Sequence, residues 1–172
     1  EGFVSTMLNP DDNSVMRFSS PDAAPDVPRD GKVQQVEAKT TSTHAPQLYD
    51  LGALQAEAAS QLHLTPTETL DIVQSLYEKH KCLSYPRTQC RYVSTEKAKE
   101  FAQFIEQAKV FPELFQVADS IGDISFIFSD KKVVNDAEVA KESHDALLPT
   151  TITPNLDAMT ANERAVCLMV YT

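Results

Sequence analysis

The sequence predicts a mainly α-helical protein with a minor β part, and three observations carry that prediction. From Tyr49 onward apolar residues recur at helical spacing. Two blocks, Thr65-Pro66-Thr67-Glu68 and Thr160-Ala161-Asn162-Glu163, have the form of capping boxes. The residues before His44 instead hold short runs rich in Val, Phe, Met and Thr, broken by turn residues. Apolar side chains make up 42% of the chain, which is enough for a core and excludes a disordered protein. No run approaches the roughly 20 apolar residues of a membrane span, so no membrane partner is expected.

In order along the chain, residues 2–8 and 14–19 read as short strands around the turn Asn9-Pro10-Asp11-Asp12-Asn13, and residues 32–43 as a third. Three edge-like strands bury little by themselves and are expected to belong to a β-rich unit over residues 1–47, completed elsewhere in a longer parent. Asp50 is placed as N-cap of a helix with the stripe Leu51, Leu54, Ala58 and Leu62. The Thr65 box opens a second helix, with Pro66 at its first position and Leu70, Val73, Leu76 and Tyr77 on one face. Ser94 caps a third, with Ala98, Phe101, Ile105 and Ala108 inward, and a shorter helix is expected over 112–121. Ser125–Ser129 reads as a brief strand, and the Thr160 box opens a helix that runs to the end of the sequence. The chain begins at Glu1 without a leader and ends in a helix without a stop signal, so a piece of a longer protein is expected.

Three cysteines, Cys82, Cys90 and Cys167, are an odd number in a chain of this size and point to reduced thiols in a cytoplasmic protein. The net charge of −10 argues against a general nucleic-acid binder. Locally, however, Lys79, Lys81, Arg87 and Arg91 lie in a stretch whose single acid is Glu78, a basic strip that suits a narrow phosphate contact as well as a solvated surface.

That strip contains Leu83-Ser84-Tyr85-Pro86-Arg87-Thr88-Gln89-Cys90-Arg91-Tyr92. Pro86 disfavours the α conformation at Tyr85, and in an extended chain residues two apart share a face. Tyr85 and Arg87 are therefore expected to point the same way. A phenol can serve as covalent nucleophile toward a phosphodiester, and a guanidinium can grip the phosphate and offset its growing charge. An unperturbed tyrosine titrates near pKa ~10, so it needs a base, a cation or a metal close by.

Ser84-Tyr85-Pro86-Arg87-Thr88 followed by Arg91-Tyr92 resembles the active-site signature of type IA DNA topoisomerases, particularly the bacterial topoisomerase III branch. Three further blocks resemble that family in the same order: Leu48-Tyr49-Asp50-Leu51 with Leu54-Gln55-Ala56-Glu57-Ala58, the run Thr69 to Glu78, and Ser143-His144-Asp145-Ala146-Leu147-Leu148-Pro149-Thr150. The resemblance implies a winged-helix-like active-site tyrosine domain over residues 48–155. It also implies arch (domain II-like) strands over 1–47, and over 156–172 the start of a helix returning to the arch.

By the same resemblance Tyr85 attacks single-stranded DNA and holds the 5′ end as a phosphotyrosine while a second strand passes. Arg87 positions the scissile phosphate, and His144 contacts phosphate or helps proton transfer. Thr88, Arg91 and Lys81 are expected DNA contacts, although Lys81 and Arg91 serve equally well to keep the strip soluble. No ATP is implied, because the phosphotyrosine conserves the energy of the cut bond. Mg²⁺ is expected in the full-length enzyme on an acidic Toprim domain that nothing here resembles, so this piece is expected to bind no metal and to be inactive alone. The expected partners are single-stranded DNA and the Toprim and other domains of the parent. Gln89 stands where the family usually has an acidic residue, and Asp145 where Glu or His is more common. The competing expectation is a non-cleaving single-stranded DNA-binding or structural module of a degenerate topoisomerase.

Other readings of the same residues are weaker. His80, Cys82 and Cys90 lack the paired spacing of a zinc site. Ser143-His144-Asp145 are adjacent and cannot converge as a hydrolytic triad. Tyr92 fits either nucleotide stacking or a structural role, and Phe101, Phe104, Phe111, Phe115, Phe126 and Phe128 are expected to pack.

Overall fold

In the computed structural model the described residues are 6–9, 11–24, 37–41 and 45–172. The chain divides into two compact units, residues 1–43 and 44–172.

In the first unit, Asn9 Oδ1 accepts from Asp11 N–H and Asp12 Oδ1 accepts from Ser14 N–H, forming the turn that the Asn/Asp cluster predicts. Asn13 takes a left-handed φ of 56°. The turn brings Leu8 opposite Val15 in one antiparallel bridge, and a single 3-10 turn follows at Pro21–Ala23. The strands expected at 2–8 and 14–19 are thus reduced, among the described residues, to that one bridge. Residues 37–41 form no strand, and the rest of the strand expected over 32–43 lies outside the described residues, as does His44.

The second unit is helical: α1 (Leu51–Leu62), α2 (Pro66–Glu78), α3 (Thr95–Ala98), α4 (Phe101–Ala108), α5 (Phe115–Ser120), α6 (Asp136–Val139) and α7 (Ala161–Tyr171). The local start signals work as expected. Asp50 accepts from Ala53 N–H at 2.6 Å. Thr65 and Glu68 exchange capping-box bonds at the head of α2, and Thr160 and Glu163 do so at the head of α7. Each box satisfies backbone donors that helix geometry leaves without a partner. Thr65→Ala is expected to lower stability by about 1 kcal/mol in urea unfolding.

Helices α1, α2 and α7 pack on one another. Their core holds Leu54, Ala58, Val73, Leu76, Val166 and Cys167, and extends to Leu83, Phe111 and Leu147. The buried stripe of α2 runs through Thr69, Val73 and Leu76, so Tyr77, expected inside, lies at its edge and is 36% exposed. A second core gathers Val93, Ala98, Phe104, Val134, Ala146 and Leu148. Residues 146–148 join the two: Leu147 enters the first core while Ala146 and Leu148 enter the second, the alternation of an extended segment.

Three expectations need correction. The single helix after Ser94 is two, because the chain turns at Lys99-Glu100 between α3 and α4. Ser125–Ser129 is a 3-10 helix, not a strand. With three residues per turn, Phe126 and Phe128 no longer share an inward face, and Ile127 packs against the second core instead. Phe126, Phe128 and Phe115 are exposed, whereas Phe104 and Phe111 are buried as expected. Among the described residues the minor β part amounts to isolated bridges: Leu8 with Val15, Leu83 with Pro149 and Val93 with Val134. Short extended segments here find partners in loops and helices, not in neighbouring strands.

Candidate active site around Tyr85

The chain leaves α2 through Lys81, whose left-handed φ of 60° redirects it. It then runs extended beside residues 146–150. Ser84 N–H donates to the Leu148 carbonyl at 2.8 Å, and Leu148 N–H donates to Ser84 Oγ at 2.9 Å. Thr150 N–H and Oγ1 donate to the carbonyls of Cys82 and Lys81. Residues 145–147 are tied down elsewhere as well. Ala146 N–H donates to the Tyr92 carbonyl, Leu147 N–H to the Tyr49 carbonyl, and Thr88 Oγ1 to the Asp145 carbonyl at 2.8 Å. Asp145 Oδ1 accepts from Ser94 N–H at 2.6 Å. Two blocks some sixty residues apart in sequence are thereby held in fixed register.

This register sets the His144 ring against the Tyr85 ring, with centroids 4.9 Å apart. Tyr77 of α2 meets Tyr85 edge-on at 5.7 Å. Tyr85 is 39% exposed, and among the described residues its hydroxyl has no hydrogen-bond partner. A phenol held between two rings, with its oxygen uncommitted, is restricted in orientation and open to a ligand. Beside it lies a cleft of about 170 Å³ lined by Tyr85, His144, Ser84, Ser143 and Lys97.

Exposure alternates along the segment. Tyr85, Arg87 and Gln89 are exposed, while Pro86, Thr88 and Cys90 are buried, the period of two expected from an extended chain. Arg87 nevertheless lines a different cleft, of about 430 Å³, with Asp50, Gln55, Thr88 and Gln89. Its guanidinium has no ion pair or hydrogen bond among the described residues. The structure therefore brings Tyr85 and His144 into one cleft and places Arg87 in the next.

The other candidates are placed as follows. Lys81 is exposed. Thr88 is buried, and its hydroxyl bonds Asp145 and receives Cys90 N–H. Arg91 Nε donates to the Leu48 carbonyl at 3.0 Å and Nη2 to that of Gln47 at 3.4 Å, and Gln47 Nε2 donates to the Tyr92 hydroxyl at 3.2 Å. Arg91 and Tyr92 thus hold the chain that enters α1.

His80, Cys82 and Cys90 point to separate partners. His80 meets Glu163 at 3.3 Å, Cys82 Sγ lies 3.9 Å from Cys167 Sγ, and Cys90 Sγ contacts the Tyr92 carbonyl. Among the described residues no group of three His, Cys, Asp or Glu could hold a metal ion. No helix among them is long and apolar enough to cross a membrane. Sequence reasoning missed Tyr77 against the Tyr85 ring and Lys97 on the cleft wall. Tyr77 looks like one more apolar position of α2, and Lys97 comes near only because Ser94, the cap of α3, is held by Asp145.

A family model described as DNA topoisomerase matches residues 20–172. The chain is 36% identical to DNA topoisomerase 3 of Shouchella clausii over 131 residues, 76% of this chain and 18% of that protein. It is 30% identical to DNA topoisomerase 3 of Vibrio cholerae over 138 residues, 80% of this chain and 21% of that protein. It is 34% identical to that of Bacillus cereus over 134 residues, 78% and 18%. The chain thus spans about a fifth of the length of the relatives it matches. On this similarity, which runs through both sides of the Tyr85 cleft, the chain belongs to the type IA DNA topoisomerases, with DNA topoisomerase 3 among its relatives.

Proposed function

We propose that Tyr85 is the nucleophile of a transient single-strand DNA break within a type IA topoisomerase. One observation carries the reading: an exposed, uncommitted tyrosine hydroxyl stands in a cleft with His144, held there by hydrogen bonds between the two sequence blocks. In the proposed step the phenolic oxygen attacks phosphorus. The phosphorus–O5′ linkage stays with the enzyme-bound strand, the phosphorus–O3′ bond breaks, and the 3′ oxygen leaves with a proton. The phenol proton passes to a base within reach of the hydroxyl, and His144 is placed to take it or to bind a phosphate oxygen. Arg87, unpaired in the adjoining cleft, holds the backbone beside the scissile phosphate. Attack by the 3′ hydroxyl on the phosphotyrosine reverses the step without ATP. A break held open in this way permits strand passage and so relaxation or decatenation.

We assign residues 48–155 to a winged-helix-like tyrosine domain, residues 1–47 to the arch, and residues 156–172 to the start of a helix returning to the arch. A Toprim domain elsewhere in the parent supplies the Mg²⁺ site. The test uses the intact parent enzyme with Mg²⁺, single-stranded oligonucleotides labelled at either end, and a denaturing quench. The expected result is protein covalently attached to the fragment bearing the 5′ phosphate. Binding without any adduct would overturn this reading in favour of a non-cleaving module. Gln89 beside Arg87 is the feature that makes that alternative concrete, since no carboxylate occupies its position.

A further inference from the structure

The cleft that holds Tyr85 and His144 does not include Arg87. Apart from the imidazole, the cationic side chain on its wall is Lys97. We propose that Lys97 binds a DNA phosphate in the tyrosine cleft, next to the phosphate that Tyr85 attacks. This rests on the cleavage reading and adds to it a phosphate contact in the cleft that Arg87 does not line.

The position of Lys97 is fixed by the fold. Its backbone N–H donates to Ser94 Oγ at 3.2 Å, and Ser94 N–H is in turn held by Asp145, the neighbour of His144. Ala98, the next residue, is buried in the second core. The ammonium stands 6.0 Å from the centre of the Phe104 ring, so part of its surroundings is apolar. Its present partner is Glu100, at 2.7 Å, and both side chains are about one-third exposed. A partly exposed pair spanning the turn between α3 and α4 is weak and easily exchanged for a phosphate that brings a formal negative charge and several acceptor oxygens. The other carboxylate on the cleft wall, Asp145, is occupied by Ser94 N–H and does not compete for the ammonium. Lys97 is thus a cation with a replaceable partner, on a base fixed by the fold, lining the same cleft as Tyr85.

Binding of a short fluorescein-labelled oligothymidylate to this chain, followed by anisotropy over a range of salt, tests the assignment. Lys97→Gln is expected to weaken binding about tenfold and to lower the salt slope by about 1. Lys97→Arg should retain the slope. Lys99→Gln is the control, because Lys99 is exposed and paired with Glu96 on the same turn; it should change binding less than twofold. Glu100→Gln should tighten binding, an effect opposite to what loss of a structural ion pair predicts. Thermal melting shows that each variant is folded. Equal losses in Lys97→Gln and Lys99→Gln, or an unchanged Lys97→Gln beside a weakened Arg87→Gln, would overturn the assignment and leave the cleavage reading standing. A folded chain that binds no oligothymidylate would overturn the Lys97 assignment, whereas the adduct assay on the intact parent decides the cleavage reading separately.

Discussion

Tyr85→Phe in the intact parent enzyme is expected to remove the covalent protein–DNA adduct, a loss of at least about a thousandfold in cleavage. The substitution deletes one oxygen. That oxygen has no hydrogen-bond partner among the described residues, and the ring is partly exposed. Nothing buried is left unsatisfied, so stability should change by no more than about 0.5 kcal/mol. The contacts of the ring with Tyr77 and His144 are made by its carbon framework and survive the change. Single-stranded DNA binding should therefore stay within about twofold, because the basic side chains that carry affinity are untouched. An adduct that persists in the phenylalanine enzyme would remove Tyr85 from the mechanism.

Glu163→Ala is expected to be the most destabilising single change outside the apolar core, at about 3–5 kcal/mol in urea unfolding at neutral pH. Glu163 is 7% exposed. Its carboxylate accepts from Ser75 Oγ at 2.6 Å, lies 3.3 Å from His80 Nε2, and accepts from Thr160 N–H at 2.8 Å. One side chain thus closes the capping box of α7 and bonds α7 to α2 and the segment after it. Truncation leaves the Ser75 hydroxyl, the His80 ring and a helix-end N–H without partners inside the protein. The Ser75 hydroxyl, the Thr160 backbone and the nearby His80 hold the Glu163 pKa at about 2, against an ordinary value of 4.5, although burial works the other way.

A carboxyl depressed on folding adds stability that is fully present above its unfolded pKa. That stability is lost as pH falls through the folded value. The contribution of Glu163, on the order of 3 kcal/mol, should therefore disappear between pH 4.5 and 2. Glu163→Gln should flatten the fall in stability over that window relative to the unsubstituted chain. Parallel curves for the two would show that this carboxylate is not what acid attacks.

The parts legible in the sequence are those whose partners lie a few residues away. Asp50, Thr65 and Thr160 mark the starts of α1, α2 and α7 because a cap bonds a backbone donor within its own first turn. Pro86 makes the Tyr85 segment extended for an equally local steric reason, and the alternating exposure of residues 85–90 follows from it. The sequence blocks also mark Tyr85, Arg87 and His144 as the residues to examine.

What they could not show is which of these share a cleft. Tyr85 and His144 meet because Ser84 pairs with Leu148 across 64 positions, and Lys97 joins them because Ser94 bonds Asp145 across 51. The Ser75–Glu163 bond spans 88. Contacts at such separations leave no periodic trace, since each is made only after chain closure has brought unrelated segments together. Ser125–Ser129 shows the same limit from the other side, because its alternating Phe, Ile and Phe have the composition of a strand. With no strand beside it among the described residues, the backbone satisfied itself in a 3-10 turn. The sequence by itself determined where the principal helices begin and that the chain is extended at Tyr85. Only the tertiary structure decided that His144 and Lys97 line the tyrosine's cleft while Arg87 lines a separate one, because hydrogen bonds between distant segments, not local preferences, set their register.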